Sequence, residues 1–273
     1  MKLRILTGLP LALAVVYLIA QEREWLFVLA VLLTLEISLH EFFFIARQAG
    51  MKSWPWLGYA GGGFLCLAQV ADLHRLALGE SAALLLVVLV IPALGLLLNS
   101  DLKDYLGTLA TTLLGVFYVA FAFSWLVPLR FATPAVGRKL VLLLFAVVWA
   151  EDIFAYVVGR LVGRTLLARR ISPRKTVEGA IAGLAGGVLV AWGFTHWFWQ
   201  TGDQKTVILI AALVAVAGQA GDLVESALKR AADLKDSGAL LPGHGGMLDR
   251  IDSLLFGVPT MWLMWNLKDL WRR

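Results

Sequence analysis

Charge is scarce in this chain. Only 16% of its 273 residues are Asp, Glu, Lys or Arg, while 60% are hydrophobic. A soluble domain carries roughly 25% charged residues, so the shortage excludes an ordinary water-soluble globule. Mean hydropathy is +0.79. Cysteine is nearly missing: Cys66 stands alone inside an apolar run, which excludes an intrachain disulfide. Metal-ligand spacing of the zinc kind is absent too, so a zinc site is rejected. No tandem repeat or low-complexity segment is visible. The net charge of +5 is modest, and the bases lie in loops between apolar runs. Nucleic acid is therefore not an expected partner. Anionic head groups or nucleotide phosphates suit such a basic membrane face better.

What is abundant is apolar sequence in long, unbroken runs. In lipid every backbone polar group must be satisfied within its own segment, which leaves helices or a closed barrel. Continuous rather than alternating runs select helices. The expectation is an all-α, polytopic transmembrane helical bundle of about nine spans. The spans read as 5–20, 25–44, 54–71, 82–99, 105–127, 140–158, 176–199, 207–227 and 251–271. The second carries Glu36, His40 and Glu41 toward its far end, the fifth ends at Pro128, and the sixth holds Glu151 and Asp152 deep inside. Gly179, Gly183, Gly186 and Gly187 give the seventh a face suited to close helix packing. Residues 1–135 read as an N-terminal set of membrane helices, and 136–273 as a C-terminal set of membrane helices with polar, cytoplasmic loops. Most lysines and arginines fall on one side of this scheme, which makes that side cytoplasmic.

Polar chemistry concentrates late in the chain. Leu228 to Ser253 mixes acids, bases and the glycine-rich Pro242-Gly243-His244-Gly245-Gly246. Glycine permits tight turns and close backbone approach to phosphate. Just upstream, Asp222, Glu225, Ser226 and Lys229 are spaced to share one helix face. A helix end with internal ion pairs is the plain alternative, but intramembrane carboxylates are costly and usually mark function. Asp249 and Asp252 open the ninth span three residues apart. An N-cap in the helix dipole explains Asp249 alone. Together with Asp222 the pair would suit a hard cation, and Mg²⁺ favours a few carboxylates plus water and phosphate oxygens.

The loop after the sixth span holds Arg160, Arg164, Arg169, Arg170, Ser172, Arg174, Lys175 and Thr176. Positive-inside topology accounts for some of these cations. Lys175 and Thr176, at the entry to a helix, are placed to bind an anion. Asp152 is either a fourth site carboxylate or a partner for one of the arginines.

Ser226-x-x-Lys229-Arg230-x4-Lys235-Asp236-x5-Pro242-Gly243-His244-Gly245-Gly246-x-x-Asp249-Arg250-x-Asp252 resembles the signature of the phosphatidate cytidylyltransferases. A second block is similar to the same family: Asp152-x-x-Ala155-Tyr156-x-x-Gly159-Arg160, then Ser172-Pro173-x-Lys175-Thr176-x-Glu178-Gly179. Val177 stands where that family often has tryptophan, and Glu151 where a small polar residue is usual. The resemblance implies an enzyme that joins CTP to phosphatidic acid, or a related lipid phosphate, and releases pyrophosphate. It implies Mg²⁺, held by Asp222 and Asp249 with Asp252 close by. Lys229, Arg230, Lys235 and Arg250 become phosphate contacts, and Asp236 and His244 complete the polar pocket. Arg160, Ser172, Lys175, Thr176, Ser226, Gly245 and Gly246 are the expected substrate contacts. The expected setting is a bacterial inner membrane among membrane lipids, with the site facing the cytoplasm and a homodimer as one assembly to test for. Two rivals stand beside this reading: a cytidylyltransferase for another lipid phosphate, and a transporter with Asp152, Asp222 and Glu225 along an ion path. The transporter predicts an inverted repeat, and none is visible.

Overall fold

The computed structural model describes residues 2–74, 79–98, 101–131, 134–200, 203–240 and 245–268. Nine helices and one hairpin account for nearly all of them. The helices are α1 (Lys2–Ala20), α2 (Glu24–Gln48), α3 (Pro55–Leu73), α4 (Glu80–Leu98), α5 (Leu102–Phe131), α6 (Pro134–Val162), α7 (Val177–Phe198), α8 (Gln204–Ala231) and α9 (Leu248–Leu267). Between α6 and α7, strands β1 (Leu166–Ala168) and β2 (Ser172–Thr176) pair antiparallel, Leu166 opposite Thr176 and Ala168 opposite Ser172.

The helical membrane class holds, but the span count does not. Among the described residues six helices, not nine, are long and apolar enough to cross a membrane: α2, α4, α5, α6, α7 and α8. Polarity explains two of the differences. Gln69, Asp72 and three consecutive glycines dilute α3, and Asp249, Arg250, Asp252 and Asn266 dilute α9. Element ends shift as well. Pro128 does not stop α5, because it lies in the first turn of the segment Leu126–Phe131, where proline displaces no needed N–H. A π-helical stretch, Val116–Phe121, precedes it. The sixth span is longer than its apolar run, starting at Pro134 and ending at Val162.

By its contacts the chain forms two compact units. Unit 1 holds Met1–Thr133 and Leu228–Ile251; unit 2 holds Pro134–Ala227 and Asp252–Arg273. The signature stretch from Leu228 to Ile251 thus groups with the N-terminal helices.

Unit 1 is built on α2 to α5. Leu65 and Ala68 of α3 pack with Ala83, Val87 and Ile91 of α4 and Val116 of α5. Gly62 of α3 fits here because a side chain would meet Leu39 at 2.7 Å and Ala120 at 2.9 Å. Arg130 is buried at the end of α5, where it donates to the carbonyls of Ile19 (3.0 Å) and Gln21 (2.9 Å). That satisfies carbonyls left over at the end of α1.

Unit 2 is organised by the α6–α7 pair. Added to Gly179, a Cβ would meet the Ala155 carbonyl at 2.8 Å and the Gly159 Cα at 3.1 Å; on Gly183 it would meet the Glu151 carbonyl at 2.9 Å. Small residues let the two backbones touch, as packing in lipid favours. Large apolar side chains such as Leu161 and Ile181 stay exposed, which suits helices whose solvent is lipid.

Candidate active site

The hairpin and the helix that follows it share a residue. Thr176 ends β2 and caps α7, its hydroxyl accepting from the Gly179 N–H at 3.1 Å. Glu178 then accepts from the backbone N–H groups of Arg164 (3.1 Å) and Thr165 (3.2 Å), which ties the start of the hairpin to the start of α7. This local fold projects Lys175 toward α8, where it forms an ion pair with Asp222.

Beside that pair, unit 2 holds a cavity of about 730 Å³. Its lining includes Glu151, Asp152 and Arg160 from α6, Ser172, Arg174, Lys175 and Thr176 from β2, and Gln219 and Asp222 from α8. The sequence-predicted Arg160, Ser172, Lys175, Thr176 and Asp222 are thus brought together, with Asp152. Arg160 donates to the Tyr156 hydroxyl one turn earlier at 3.0 Å. Ser226 reaches Asp222 only through a long hydrogen bond of 3.4 Å. Both signs of charge line one hollow at the end of an apolar bundle, which suits a phosphate-rich ligand accompanied by a cation.

Asp252 is in the same unit. It lies within electrostatic range of Asp222, Glu225 and Asp152, and its carboxylate accepts from the Ser253 N–H at 2.6 Å. Gly221 allows this approach, since a Cβ there would meet the Asp252 carbonyl at 2.5 Å. These carboxylates are hard oxygen donors of the type Mg²⁺ takes. Among the described residues no group of three His, Cys, Asp or Glu is arranged to hold a metal ion. Mg²⁺ commonly uses one or two carboxylates and completes its shell with water and substrate phosphate, so Asp222 and Asp252 fit that donor type.

The rest of the signature lies in unit 1. At the end of α8, the Leu234 N–H donates to Lys229 O (2.8 Å) and the Asp233 N–H to Arg230 O (3.1 Å), with Asp233 at φ +55. This is a left-handed helix stop made without glycine. It reverses the chain so that Lys235 and Asp236 emerge exposed and Ser237 is buried. Asp249, in the first turn of α9, closes the loop. One of its oxygens accepts from Lys229 Nζ at 2.5 Å, and the other from the backbone N–H groups of Ser237 (3.0 Å) and Gly246 (2.8 Å). Gly245 is at φ +77, and a Cβ there would strike the Asp249 carboxylate. Arg230 donates to Leu234 O at 2.9 Å, and Arg250 is exposed. His244, with Pro242 and Gly243, lies outside the described residues.

Burial by itself would raise the Asp249 carboxyl. The hydrogen bond and charge of Lys229 and the Gly246 and Ser237 N–H groups outweigh burial and hold it below the ordinary carboxylate range. One residue that binds this loop from outside has no role assigned by the sequence reading. Glu41 of α2 accepts from the Ser237 hydroxyl (2.7 Å) and from the Met247 (2.9 Å) and Leu248 (2.8 Å) N–H groups. Its only sequence signal is a carboxylate at the end of an apolar run.

Over 143 residues this chain is 45% identical to a phosphatidate cytidylyltransferase of Synechocystis, covering 51% of this chain and 46% of that one. It is 40% identical over 152 residues to the phosphatidate cytidylyltransferase of Staphylococcus haemolyticus, covering 56% and 57%. The phosphatidate cytidylyltransferase of Bacillus subtilis is 37% identical over 186 residues, covering 67% and 66%. Each match spans less than two thirds of the relative. A model of the cytidylyltransferase family, by contrast, matches residues 2–268, nearly end to end, and on that match this chain belongs to the cytidylyltransferase family.

Proposed function

We propose that this protein transfers the cytidylyl group of CTP to phosphatidic acid, giving CDP-diacylglycerol and pyrophosphate. The observation that carries the reading is the unit 2 cavity, where Arg160, Arg174 and Lys175 stand with Asp152 and Asp222. The family match supports the nucleotide. The names of the relatives support the lipid.

In this reading a phosphate oxygen of the lipid attacks the α-phosphorus of CTP. That bond forms as the bond to the β-phosphate oxygen breaks, and pyrophosphate leaves with the electron pair. Both reactants are anions, so the barrier is mainly repulsion and charge developing on the leaving group. Catalysis is then positioning and neutralisation. Arg160, Arg174 and Lys175 would bind and orient phosphates in the cavity. Ser172, Thr176 and Ser226 offer hydroxyls. Lys229, Arg230, Lys235 and Arg250 are the further phosphate contacts this reading expects, with Asp236 and His244 around them and Gly245 and Gly246 shaping the loop. No Ser or Cys nucleophile is required, because the lipid phosphate is already ionised near neutral pH.

Mg²⁺ belongs to the proposal, with Asp222 and Asp252 as its holders and Asp249 as the third expected carboxylate. When bound it would neutralise phosphate charge. The polar loops are proposed to face the cytoplasm of a bacterial inner membrane, where CTP is found. In a Cys66→Ala background, single cysteines at the exposed Arg170 and Ala239 should resist impermeant thiol reagents added to intact cells; labelling from outside refutes this orientation. The deciding assay supplies purified protein with labelled CTP, Mg²⁺ and a panel of lipid phosphates. Labelled CDP-diacylglycerol is the expected product. A product made only from another lipid phosphate refutes the acceptor, and no product from any of them refutes the transfer.

A further inference from the structure

Glu41 is 6% exposed. Its partners Ser237, Met247 and Leu248 lie 196 to 207 residues further along the chain. Two of its three donors are backbone N–H groups at the start of α9, where the helix has no acceptors of its own and its dipole favours negative charge. The third is a buried hydroxyl. A carboxylate this buried is tolerated only when it is hydrogen-bonded. Among the described residues, every hydrogen bond it accepts comes from the signature loop.

Two glycines pack around the same carboxylate. A Cβ on Gly238 would lie 2.7 Å from Glu41 Oε1 and 3.0 Å from its Cδ. Added to Gly246, a Cβ would land on the Ser237 hydroxyl and on Glu41 Oε2. Neither glycine has a positive φ, so backbone conformation does not require them. The N–H groups of Gly246 and Ser237 are turned to Asp249. The loop is thus folded around two carboxylates, Asp249 from its own helix and Glu41 from α2.

We infer that Glu41 is the positioning residue of the signature loop. Its carboxylate fixes Ser237 and the start of α9, and through them Asp249. Gly238 and Gly246 are glycines because that carboxylate fills the space a side chain would need. The catalytic part of this inference rests on the cytidylyltransferase reading above; the structural part does not.

The test uses the full-length protein with two readouts: amide hydrogen exchange over residues 237–248, and turnover per folded molecule. Glu41→Gln keeps the volume but turns an NH₂ toward N–H donors. Exchange at Met247 and Leu248 should speed by about tenfold or more as local opening becomes easier. Misplacement of the loop should lower kcat by about a hundredfold, with the KM for CTP within about threefold. A merely structural role would reduce the folded fraction and leave kcat per folded molecule intact. Gly246→Ala should reproduce the exchange change. Unchanged exchange in Glu41→Gln, or wild-type kcat per folded molecule, overturns the inference. Unchanged exchange in Gly246→Ala overturns its steric half. Should Glu41→Gln fail to fold, Ser237→Ala removes one of the three bonds and is judged by the same two readouts. If wild-type protein forms no CDP-lipid at all, the cytidylyltransferase reading fails, and exchange alone decides the role of Glu41.

Discussion

Lys229 donates to Asp249 at 2.5 Å across 20 residues of sequence, and the two side chains are 11% and 8% exposed. The bond joins the last turn of α8 to the first turn of α9 and closes the loop that carries the signature. Removing one member of a buried pair leaves the other charge uncompensated, at a cost of about 3–5 kcal/mol. Asp249→Asn is therefore expected to lower the melting temperature as well as turnover. Lys229→Met combined with Asp249→Asn should recover much of the stability and none of the activity. Melting temperature and kcat of both variants check this. A double variant that turns over would reduce the pair to a structural tie.

The lowered Asp249 carboxyl has a direction in pH. A depressed folded value means that its stabilisation is fully present above the unfolded carboxylate value of about 3.9. It is lost as pH falls through the folded value. Wild-type melting temperature should drop steeply below about pH 4, and Asp249→Asn should drop less over the same range. Parallel acid curves for the two proteins would exclude Asp249 as a contributor.

Lys175 and Asp222 pair at the cavity wall with side chains 30% and 25% exposed. A pair this wet contributes about 0–1 kcal/mol to stability. Lys175→Met should therefore keep its melting temperature. If it meets phosphate, it should lose about 10–100-fold in kcat/KM for CTP, the worth of a charged hydrogen bond. Asp222→Asn, like excess chelator, should abolish turnover. Full activity in chelator would rule out Mg²⁺ as a requirement.

Glycines give a contrast within one protein. Gly179→Ala pushes a methyl into the Ala155 carbonyl and the Gly159 Cα, which are backbone atoms with little room to yield. The expected cost is about 1–3 kcal/mol, with reduced turnover because the hairpin is carried by α7. Gly107, at an exposed position of α5, has nothing within 4 Å of an added Cβ. Gly107→Ala should stabilise by about 0.5–1 kcal/mol. Melting temperatures that rank the two the other way would contradict the packing described for α6 and α7.

The legible parts of this protein were those coded by short spacing. Asp222 and Ser226 share a face because they are one turn apart, and Lys175 and Thr176 mark a helix entry by position alone. The glycines of α7 announced a close partner. Hydropathy counted too many spans, because α3 and α9 keep apolar runs long enough to resemble one while their polar residues lower the average. The hairpin was invisible, since Leu166–Thr176 has too many arginines and too little alternation to read as strands. Glu41 was out of reach for another reason: its partners are about 200 residues away, and spacing carries no information over that range.

No residue separates β2 from α7, because Thr176 serves both. The hairpin consequently has no joint at which to absorb a change in helix angle. A bilayer thicker or thinner than the apolar length of α7 alters that helix's tilt, and Lys175, one position before the junction, swings with it. A change in the tilt of α7 is therefore expected to move the Lys175 ammonium along the cavity wall it shares with Asp222.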